Sequence, residues 1–275
     1  MRRTLSLDSS GLRSWVRLLL GLAALAALAA GGRMEAAPPP LVHLYTFATP
    51  PDLSADDLAY SPAGGGRLVV VAVNPISMLY ETTVRGRALS EYPGLGSFSL
   101  TRATRGPAQG HFFQAGGAPW LTVAEFDEDF NHVGNCAVKL GGAYVVPGDA
   151  VAFNHHRMTF LVSDLDANLI HEVDCRGGGT WVRSITPTGF LAPAGMTFDV
   201  SSGTYFGVLH LDSVLVQFDD LGTLVREIDL KPFGVQQPVG ITLGQGKLFI
   251  GDELKGELND TTGYIYVFRV PEPVR

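Results

Sequence analysis

Residues 193–230 read PAGMTFDVSSGTYFGVLHLDSVLVQFDDLGTLVREIDL and hold four short runs of strand-forming residues. Val, Leu, Ile, Phe and Tyr in these runs suit a pleated, half-buried surface, whereas the Gly, Asp and Ser between them favour turns. The four runs begin near Met196, Thr204, Val214 and Thr223. Four consecutive antiparallel strands within about 40 residues are typical of one blade of a β-propeller.

One blade cannot bury both of its faces alone, so this interpretation requires the pattern to recur along the chain. Residues 164–174 align without a gap on residues 210–220, which lie 46 positions further on. The same third strand of the repeat is recognisable at residues 78–82, 120–127 and 264–268. Five repeats are therefore visible, at a period within the range of roughly 40–50 residues known for propeller blades.

The two ends of the repeat array complete each other. Residues 271–275, PEPVR, follow the third strand of the fifth repeat and leave it without a fourth, whereas residues 41–47, LVHLYTF, form an orphan strand before the first repeat. We therefore predict an all-β, five-bladed propeller in which residues 41–47 pair antiparallel with residues 264–270. This closure removes two open sheet edges. A six-bladed ring is the alternative, because insertions can conceal a weak repeat.

Strand alternation makes a further prediction for this closing strand. Its side chains should point alternately to two sides. One side then holds Leu41, His43, Tyr45 and Phe47, and the other holds Val42, Leu44 and Thr46. Because both sides carry apolar residues, we expect the strand to lie packed between neighbouring blades.

The first thirty residues differ from the rest of the chain. Several arginines precede an apolar run at residues 18–30, which ends in small residues. This pattern predicts a secretory signal peptide over residues 1–30, and the run is short for a membrane span, which needs about 20 residues. An uncleaved signal anchor is the alternative. Residues 31–40 are then a Pro- and Ala-rich spacer, and residues 41–275 form a single propeller domain.

The remainder of the chain is acidic. Without the five Arg and one Asp of residues 1–33, the 20 basic and 27 acidic residues of the sequence become 15 and 26, a net charge of −11. Such a surface disfavours nucleic acid and anionic lipid as partners, and it suits a cationic partner or a divalent metal ion. We expect a secreted or otherwise extracytoplasmic monomer, without a stable membrane span once the signal is cleaved.

The chain has two cysteines, Cys136 and Cys175. In the repeat frame Cys136 lies in the fourth strand of the second blade, and Cys175 follows the third strand of the third blade. Both are outer positions of neighbouring blades, so a disulfide is one prediction for an oxidising compartment. Two buried free thiols are the alternative.

Candidate functional residues lie in the loops of one face. The loops that lead into the first strand of each blade share this face with the loops that join strands two and three, because neighbouring strands are antiparallel. These loops carry Asp56, Asp57, Asp149, Asp164, His210, Asp252 and Glu253. Such groups at a channel mouth could hold Ca²⁺ or another divalent ion, with Asp57, Asp164 and Asp252 as the candidate metal ligands. The alternative is that they are ordinary turn-forming residues.

The repeats resemble known propeller families. Residues 193–196, PAGM, and residues 238–241, PVGI, resemble the P-x-G-I opening of NHL-type repeats. Residues 162–164, followed by Asn168, are similar to the end of the second strand in those repeats. The first repeat, residues 58–86, resembles the SdiA-regulated family of exported propellers. The resemblance implies the propeller fold for all five repeats.

The repeats also resemble the related SMP-30-type lactonases, and this resemblance implies a chemical activity. The likeness implies a divalent metal held at the channel mouth by an acidic residue and Asn side chains, with Asp57 near the acidic position. The Asn that precedes the Gly of the family's opening is Ala194 in one repeat of this chain and Val239 in another.

Two functions of different classes follow from these observations. The first is a non-catalytic propeller that binds a protein, a glycan or a small molecule at the channel mouth. The alternative is a divalent-metal-dependent hydrolase of the lactonase or esterase kind. The apolar residues at two of the Asn positions favour the first.

Overall fold

The structure, a computed structural model, describes residues 41–72, 77–93, 99–104, 106–116, 121–138, 150–253 and 262–271. They belong to one compact unit, Pro40–Arg275. The predicted signal peptide, residues 1–30, and the predicted spacer, residues 31–40, lie outside the described residues. Within the described ranges, no helix is both long and apolar enough to cross a membrane.

The described residues form five antiparallel sheets of four strands each, the blades of a propeller. Blade 1 contains β2 (Asp57–Ser61), β3 (Arg67–Ala72), β4 (Met78–Thr83) and β5 (Ala88–Pro93). Blade 2 contains β6 (Thr101–Arg102), β7 (Phe112–Gly116), β8 (Leu121–Phe126) and β9 (His132–Val138). Blade 3 contains β10 (Val151–Asn154), β11 (Thr159–Asp164), β12 (Leu169–Asp174) and β13 (Thr180–Ile185).

Blades 4 and 5 complete the ring. Blade 4 contains β14 (Gly195–Asp199), β15 (Thr204–Leu209), β16 (Val214–Phe218) and β17 (Leu224–Asp229). Blade 5 contains β18 (Pro238–Gly244), β19 (Lys247–Asp252), β20 (Tyr264–Arg269) and β1 (Val42–Ala48). Two short 3-10 helices, Ala63–Gly65 and Lys231–Phe233, lie between strands. The five-bladed fold predicted from the repeats is confirmed.

The hydrophobic core lies between the blades. Each of five clusters of buried apolar side chains joins two neighbouring blades. Phe113 of blade 2 stacks on Phe153 of blade 3, with ring centroids 5.9 Å apart. Tyr60 of blade 1 stacks in the same way on Phe249 of blade 5, at 6.3 Å. Each blade therefore depends on its two neighbours to cover its apolar faces.

The inner strands β2, β6, β10, β14 and β18 contact one another around the central channel. Two close approaches between these strands occur at the glycines of the two P-x-G openings. A Cβ atom on Gly240 would lie 2.6 Å from the Cα atom of Asp57, and one on Gly195 would collide with the carbonyl oxygen of Val239. Gly is required at these positions because the backbone of the next blade occupies the space of a side chain.

The N-terminal strand closes the ring as predicted. β1 pairs antiparallel with β20, from Val42 opposite Arg269 to Ala48 opposite Tyr264. It is the outermost strand of blade 5. The hydroxyl of Tyr45 also donates a hydrogen bond of 2.9 Å to the carbonyl oxygen of Val84 in blade 1. β1 therefore ties the end of the chain to its beginning.

The predicted strict alternation along β1 is wrong. The ladder is irregular between His43 and Tyr45, so that His43 lies opposite Phe268 and Tyr45 lies opposite Val267. The intervening Leu44 is an extra residue, and such a bulge shifts the side chains that follow it to the other side of the strand. His43 contacts the ring of Phe268, with centroids 5.4 Å apart, whereas Tyr45 packs on the cluster between blades 5 and 1.

The expectation that both sides of this strand are packed between blades also needs correction. Leu41 is buried in the cluster between blades 4 and 5, and Phe47 is partly buried between blades 5 and 1. Val42 and Leu44 are exposed. The strand occupies the outer edge of its blade, so part of its surface faces solvent.

The two cysteines form a disulfide, with their Cα atoms 5.4 Å apart. Cys136 lies in β9 of blade 2, and Cys175 follows β12 of blade 3. The bond joins outer parts of two neighbouring blades, and the disulfide alternative of the sequence analysis is confirmed.

Removal of β1 should destabilise the ring. A chain that starts at Ala48 loses the ladder to β20 and the burial of Leu41, Tyr45 and Phe47. We expect its free energy of unfolding to fall by about 3–6 kcal/mol relative to a chain that starts at Leu41, because a fully buried apolar side chain contributes roughly 1.5–3 kcal/mol. Urea unfolding measures the difference, and gel filtration should show self-association through the uncovered edge of β20.

Two substitutions on the same segment provide a matched control. The change L41A removes a buried side chain and should cost about 2 kcal/mol or more. The change L44A alters an exposed side chain and should cost about 0.5 kcal/mol or less. If the chains that start at Leu41 and at Ala48 are equally stable and both remain monomeric, the role of β1 in closure is contradicted.

The double change C136S/C175S should lower the free energy of unfolding by about 2–4 kcal/mol, because the disulfide restricts the unfolded chain over a separation of 39 residues. Thermal unfolding of the variant and the parent chain, each with and without reductant, measures the effect. Reductant should lower the melting temperature of the parent chain and leave the variant unchanged. If reductant leaves the melting temperature of the parent chain unchanged as well, the disulfide does not stabilise the fold.

Candidate functional site

A cavity of about 450 Å³ opens on the face of the propeller that the sequence analysis singled out. Its lining comes from loops that lead into first strands and loops that join strands two and three. The lining residues are Asp56, Leu165, Asn168, Leu191, Ala192, Ala194, Leu209, His210, Leu211, Asp212, Val239 and Glu253. The volume falls in the range of roughly 300–1,000 Å³ typical of small-molecule sites.

One side of the cavity is apolar and belongs to blades 3 and 4. Leu165 lies in the loop between β11 and β12, Leu191 precedes β14, and Leu211 lies in the loop between β15 and β16. These three side chains are 41%, 56% and 88% exposed. Leu209 lies deeper and is buried. Exposed leucines that surround a cavity are typical of a binding surface, because they contribute little to the core.

Two of the acidic lining residues belong to blades 1 and 5, and a third, Asp212, belongs to blade 4. Asp56 precedes β2, and Glu253 follows β19. Burial raises the pKa of the Glu253 carboxyl, and the negative charge of Asp56 raises it further. His210 acts in the opposite direction and Asp252 in the same direction as Asp56. The buried Asp56 and the half-buried Glu253 therefore lie close enough for their negative charges to repel each other.

His210, in the loop between β15 and β16, is another polar residue of the cavity. Its ring lines the cavity, and its Nδ1 atom is buried without a hydrogen-bond partner in the part of the chain that the structure describes. A buried imidazole nitrogen is normally paired. The atom is therefore positioned to accept or donate a hydrogen bond to a bound molecule.

Hydrogen bonds between loops hold the cavity wall in place. The amide of Asn168, which follows the exposed Leu165, accepts a hydrogen bond of 2.7 Å from the backbone N–H of Ala192. The backbone N–H of Ala194 donates to the carbonyl oxygen of Val208, at 2.9 Å. The first bond joins the loop between β11 and β12 to the segment that leads into β14, and the second joins that segment to β15. The apolar part of the lining is therefore held in place by both blades.

The structure separates the predicted site residues into two groups. Asp56, His210 and Glu253 meet at the cavity, whereas Asp57, Asp164 and Asp252 do not line it. Asp149 lies outside the described residues.

Asp57 is buried between blades 1 and 2. Its carboxylate accepts hydrogen bonds from the backbone N–H groups of Leu58 and Leu100, at 2.8 and 2.6 Å. Burial raises its pKa well above the ordinary value, and the backbone hydrogen bonds oppose this effect. These hydrogen bonds of Asp57 join β2 of blade 1 to the segment that leads into blade 2.

Asp252 and Asp164 make similar contacts with backbone donors. The carboxylate of Asp252 accepts from the N–H groups of Gln236 and Gln237, at 3.0 and 2.7 Å. Asp164 accepts from the N–H of Ala167 at 2.9 Å. Among the described residues, no three His, Cys, Asp or Glu side chains are grouped so that they could hold a metal ion. The metal site at Asp57, Asp164 and Asp252 stays a prediction.

The sequence analysis missed the apolar wall of the cavity. A signal was present in the gap-free alignment of residues 164–174 on residues 210–220, which places Leu165 in register with Leu211. Each leucine follows a polar residue at the tip of a loop, where Gly, Asp or Asn is usual. An apolar residue at the same loop position in two repeats predicts an exposed apolar surface.

Comparisons with known proteins found distant structural matches. No family model and no curated protein matches the chain. A protein of unknown function from Bacteroides caccae is 17% identical over 71% of this chain and 69% of its own, with a TM-score of 0.47. A luciferin-regenerating enzyme is 13% identical over 77% of each chain, with a TM-score of 0.46. Kuenenia stuttgartiensis hydrazine synthase is 15% identical over 62% of this chain and 45% of its own, with a TM-score of 0.40. The match therefore spans less than half of that protein.

Substitution of the groups around Glu253 should shift the pKa of its carboxyl in opposite directions. The change D56N removes a repelling charge and should lower the pKa, whereas H210A removes an attracting group and should raise it. Carboxyl-carbon NMR titration measures the pKa, and the Glu253 signal is assigned by its loss in E253Q.

The change D212N is the matched control for this titration. Asp212 lines the same cavity but is not among the groups that act on Glu253, so the Glu253 titration should stay as in the parent chain. A Glu253 pKa that is unaltered in both D56N and H210A would contradict the arrangement of charges described above.

Proposed function

We propose that the protein is a non-catalytic binding propeller and that its ligand is a small molecule held in the channel-mouth cavity. The observation that carries this proposal is a cavity of about 450 Å³ that is lined by exposed leucines and by a few polar groups. Ligand sites combine these two features, because apolar contact supplies affinity and a few polar groups fix orientation.

The shape of the site favours a small molecule over the other two ligand classes. A protein partner usually covers roughly 800 Å² of a surface, whereas the apolar residues here converge on one concave cavity. Glycan sites commonly present aromatic rings for stacking, and among the described lining residues the one aromatic ring is the imidazole of His210.

The alternative function is a divalent-metal-dependent hydrolase of the SMP-30 kind, to which the repeat openings bear a resemblance. The described side chains fit this function less well. Ala194 and Val239, at two positions where that family has Asn, line the cavity with apolar side chains. The carboxylates of Asp57, Asp164 and Asp252 accept hydrogen bonds from backbone N–H groups, and a shared ion would compete with these donors.

Binding of the neutral fluorescent dye Nile red tests the proposed function. The full chain should bind the dye saturably, with the emission of an apolar environment. The change L211S should weaken binding by roughly three- to tenfold, because one leucine contributes up to about 1.5 kcal/mol of the apolar contact. Leu211 is almost fully exposed in the free protein, so the change should leave the melting temperature unaltered.

The control is L221S, the same change at a 69% exposed leucine in the turn between β16 and β17, on the opposite face. It should bind the dye as the parent chain does. No saturable binding by the full chain, or equal weakening by both changes, would overturn the proposed function.

A further inference from the structure

We propose that Ser184 is a nucleophile that takes an acyl group from a neutral ester, with His171 as its general base and Asp164 as the residue that orients the imidazole. The three residues lie in blade 3, and none of them lines the channel-mouth cavity. The inference therefore goes beyond the proposed function. The transfer places one acyl group on each chain, so it is a modification and does not make the chain a catalyst.

Three consecutive strands of blade 3 bring these side chains together. Asp164 ends β11, His171 lies in β12 and Ser184 lies in β13. His171 is directly opposite Ser184 in one ladder, and it is the diagonal neighbour of Asp164 in the other. Val162 and Val173, two positions from Asp164 and from His171, pack in the cluster between blades 2 and 3. Because side chains alternate along a strand, Asp164 and His171 point to that same face of the blade.

The imidazole of His171 makes a hydrogen bond at each of its nitrogens. Its Nε2 atom lies 3.4 Å from an oxygen of the Asp164 carboxylate, and its Nδ1 atom lies 2.9 Å from the hydroxyl oxygen of Ser184. A carboxylate only accepts hydrogen bonds, so Nε2 carries the proton of the neutral ring and Nδ1 accepts from the Ser184 hydroxyl. The order of nucleophile, base and orienting acid is that of a serine triad, with the roles of the two ring nitrogens exchanged.

Exposure differs along this array in the way that acylation requires. Asp164 and His171 are buried, whereas Ser184 is exposed. The second carboxylate oxygen of Asp164 accepts a hydrogen bond of 2.9 Å from the backbone N–H of Ala167, which fixes the carboxylate against the imidazole. β13 is the outermost strand of its blade, so alternate backbone N–H groups along it point away from the sheet. Such groups next to Ser184 can donate to the oxyanion of an ester under attack.

The propeller fold does not account for these residues. Blade 4 aligns on blade 3 at an offset of 46 residues, and His210 and Gln217 stand where blade 3 has Asp164 and His171. Blade 4 nevertheless forms the same four-stranded sheet. Burial of polar side chains on a face that packs against a neighbouring blade costs desolvation free energy. A chemical role gives a reason for this cost.

The acylation step balances between this array and its donor. The Oγ atom of Ser184 bonds to the carbonyl carbon of the ester while its proton passes to Nδ1 of His171. The tetrahedral intermediate then releases the alcohol or phenol, which takes that proton from the imidazolium, and the acyl group remains on Oγ. A neutral ester suits the site better than an anionic phosphoryl donor, because the Asp164 carboxylate and the net charge of −11 over residues 34–275 repel anions.

Acetylation of the full chain by para-nitrophenyl acetate tests this inference. Mass spectrometry of proteolytic peptides measures the rate at which each serine gains an acetyl group. Ser90 is the internal control, because it is exposed on β5, the outer strand of blade 1, and lies opposite Glu81 rather than a histidine. Ser184 should react roughly a hundredfold faster than Ser90, which is the lower end of what a general base contributes.

The change H171N removes the base and should lower the acetylation rate of Ser184 to that of Ser90. The matched control is H111N, the same change at a histidine that contacts Glu125 in blade 2. It should leave the rate at Ser184 unaltered. Melting temperatures show whether each variant remains folded.

The change D164N tests the orienting role. The side-chain oxygen of the new amide should keep the N–H of Ala167, so its NH₂ group should donate to Nε2 of His171. The ring proton then moves to Nδ1, which no longer accepts from Ser184. Nitrogen NMR of the labelled imidazole detects this change of tautomer in mildly alkaline buffer, and loss of packing alone would not produce it. The acetylation rate of Ser184 should again fall to that of Ser90.

Equal rates at Ser184 and Ser90 in the parent chain would overturn the inference. A Ser184 that stays fast in folded H171N, or that slows equally in H111N, would overturn it too. If H171N does not fold, D164N decides. A ring proton that is already on Nδ1 in the parent chain, or a Ser184 that stays fast after the tautomer has changed, excludes His171 as the base.

Discussion

Packing between blades, rather than within them, holds this ring together. Alternation along each strand sends consecutive side chains to opposite faces, and each face meets a different neighbour. In β3, Leu68 and Val70 pack toward blade 5, whereas Val69 and Val71 pack toward blade 2. A blade therefore has two apolar faces and no separate core. Because every face needs a partner, the ring is stable only when it is closed. β1 therefore contributes more to stability than its small and partly exposed surface suggests, since it closes the ring.

Close approach at the centre of the ring imposes the next constraint. The inner strands lie so near one another that Gly195 and Gly240 admit no side chain. The face above them is organised by buried carboxylates that accept hydrogen bonds from backbone N–H groups, as Asp57 does from Leu100. These bonds satisfy loop groups that strands leave unpaired. They also fix the loops, so a ligand would find the cavity formed in advance and would lose less entropy on binding.

A fixed face explains how leucines can remain exposed around the cavity. Their loops are held by bonds such as that from Ala192 to Asn168, so the leucines do not need burial to be ordered. Exposed leucines lower solubility and add little to the core. A surface that keeps them is therefore usually a binding surface. Asp56 and Glu253 belong to other blades than these leucines, so the cavity is assembled from four of the five repeats.

The sequence alone determined the strands, the period, the closing strand and the face on which the candidate loops lie, because these follow from local alternation and repetition. It showed five repeats and left a six-bladed ring as the alternative. The tertiary structure alone decided the direction of individual side chains. Asp56 and Asp57 are neighbours in the chain, yet Asp56 lines the cavity and Asp57 is buried against Leu100. The bulge at Leu44 likewise reverses the side on which Tyr45 lies. These outcomes depend on contacts with residues about one blade or more away in sequence, which a local pattern does not encode.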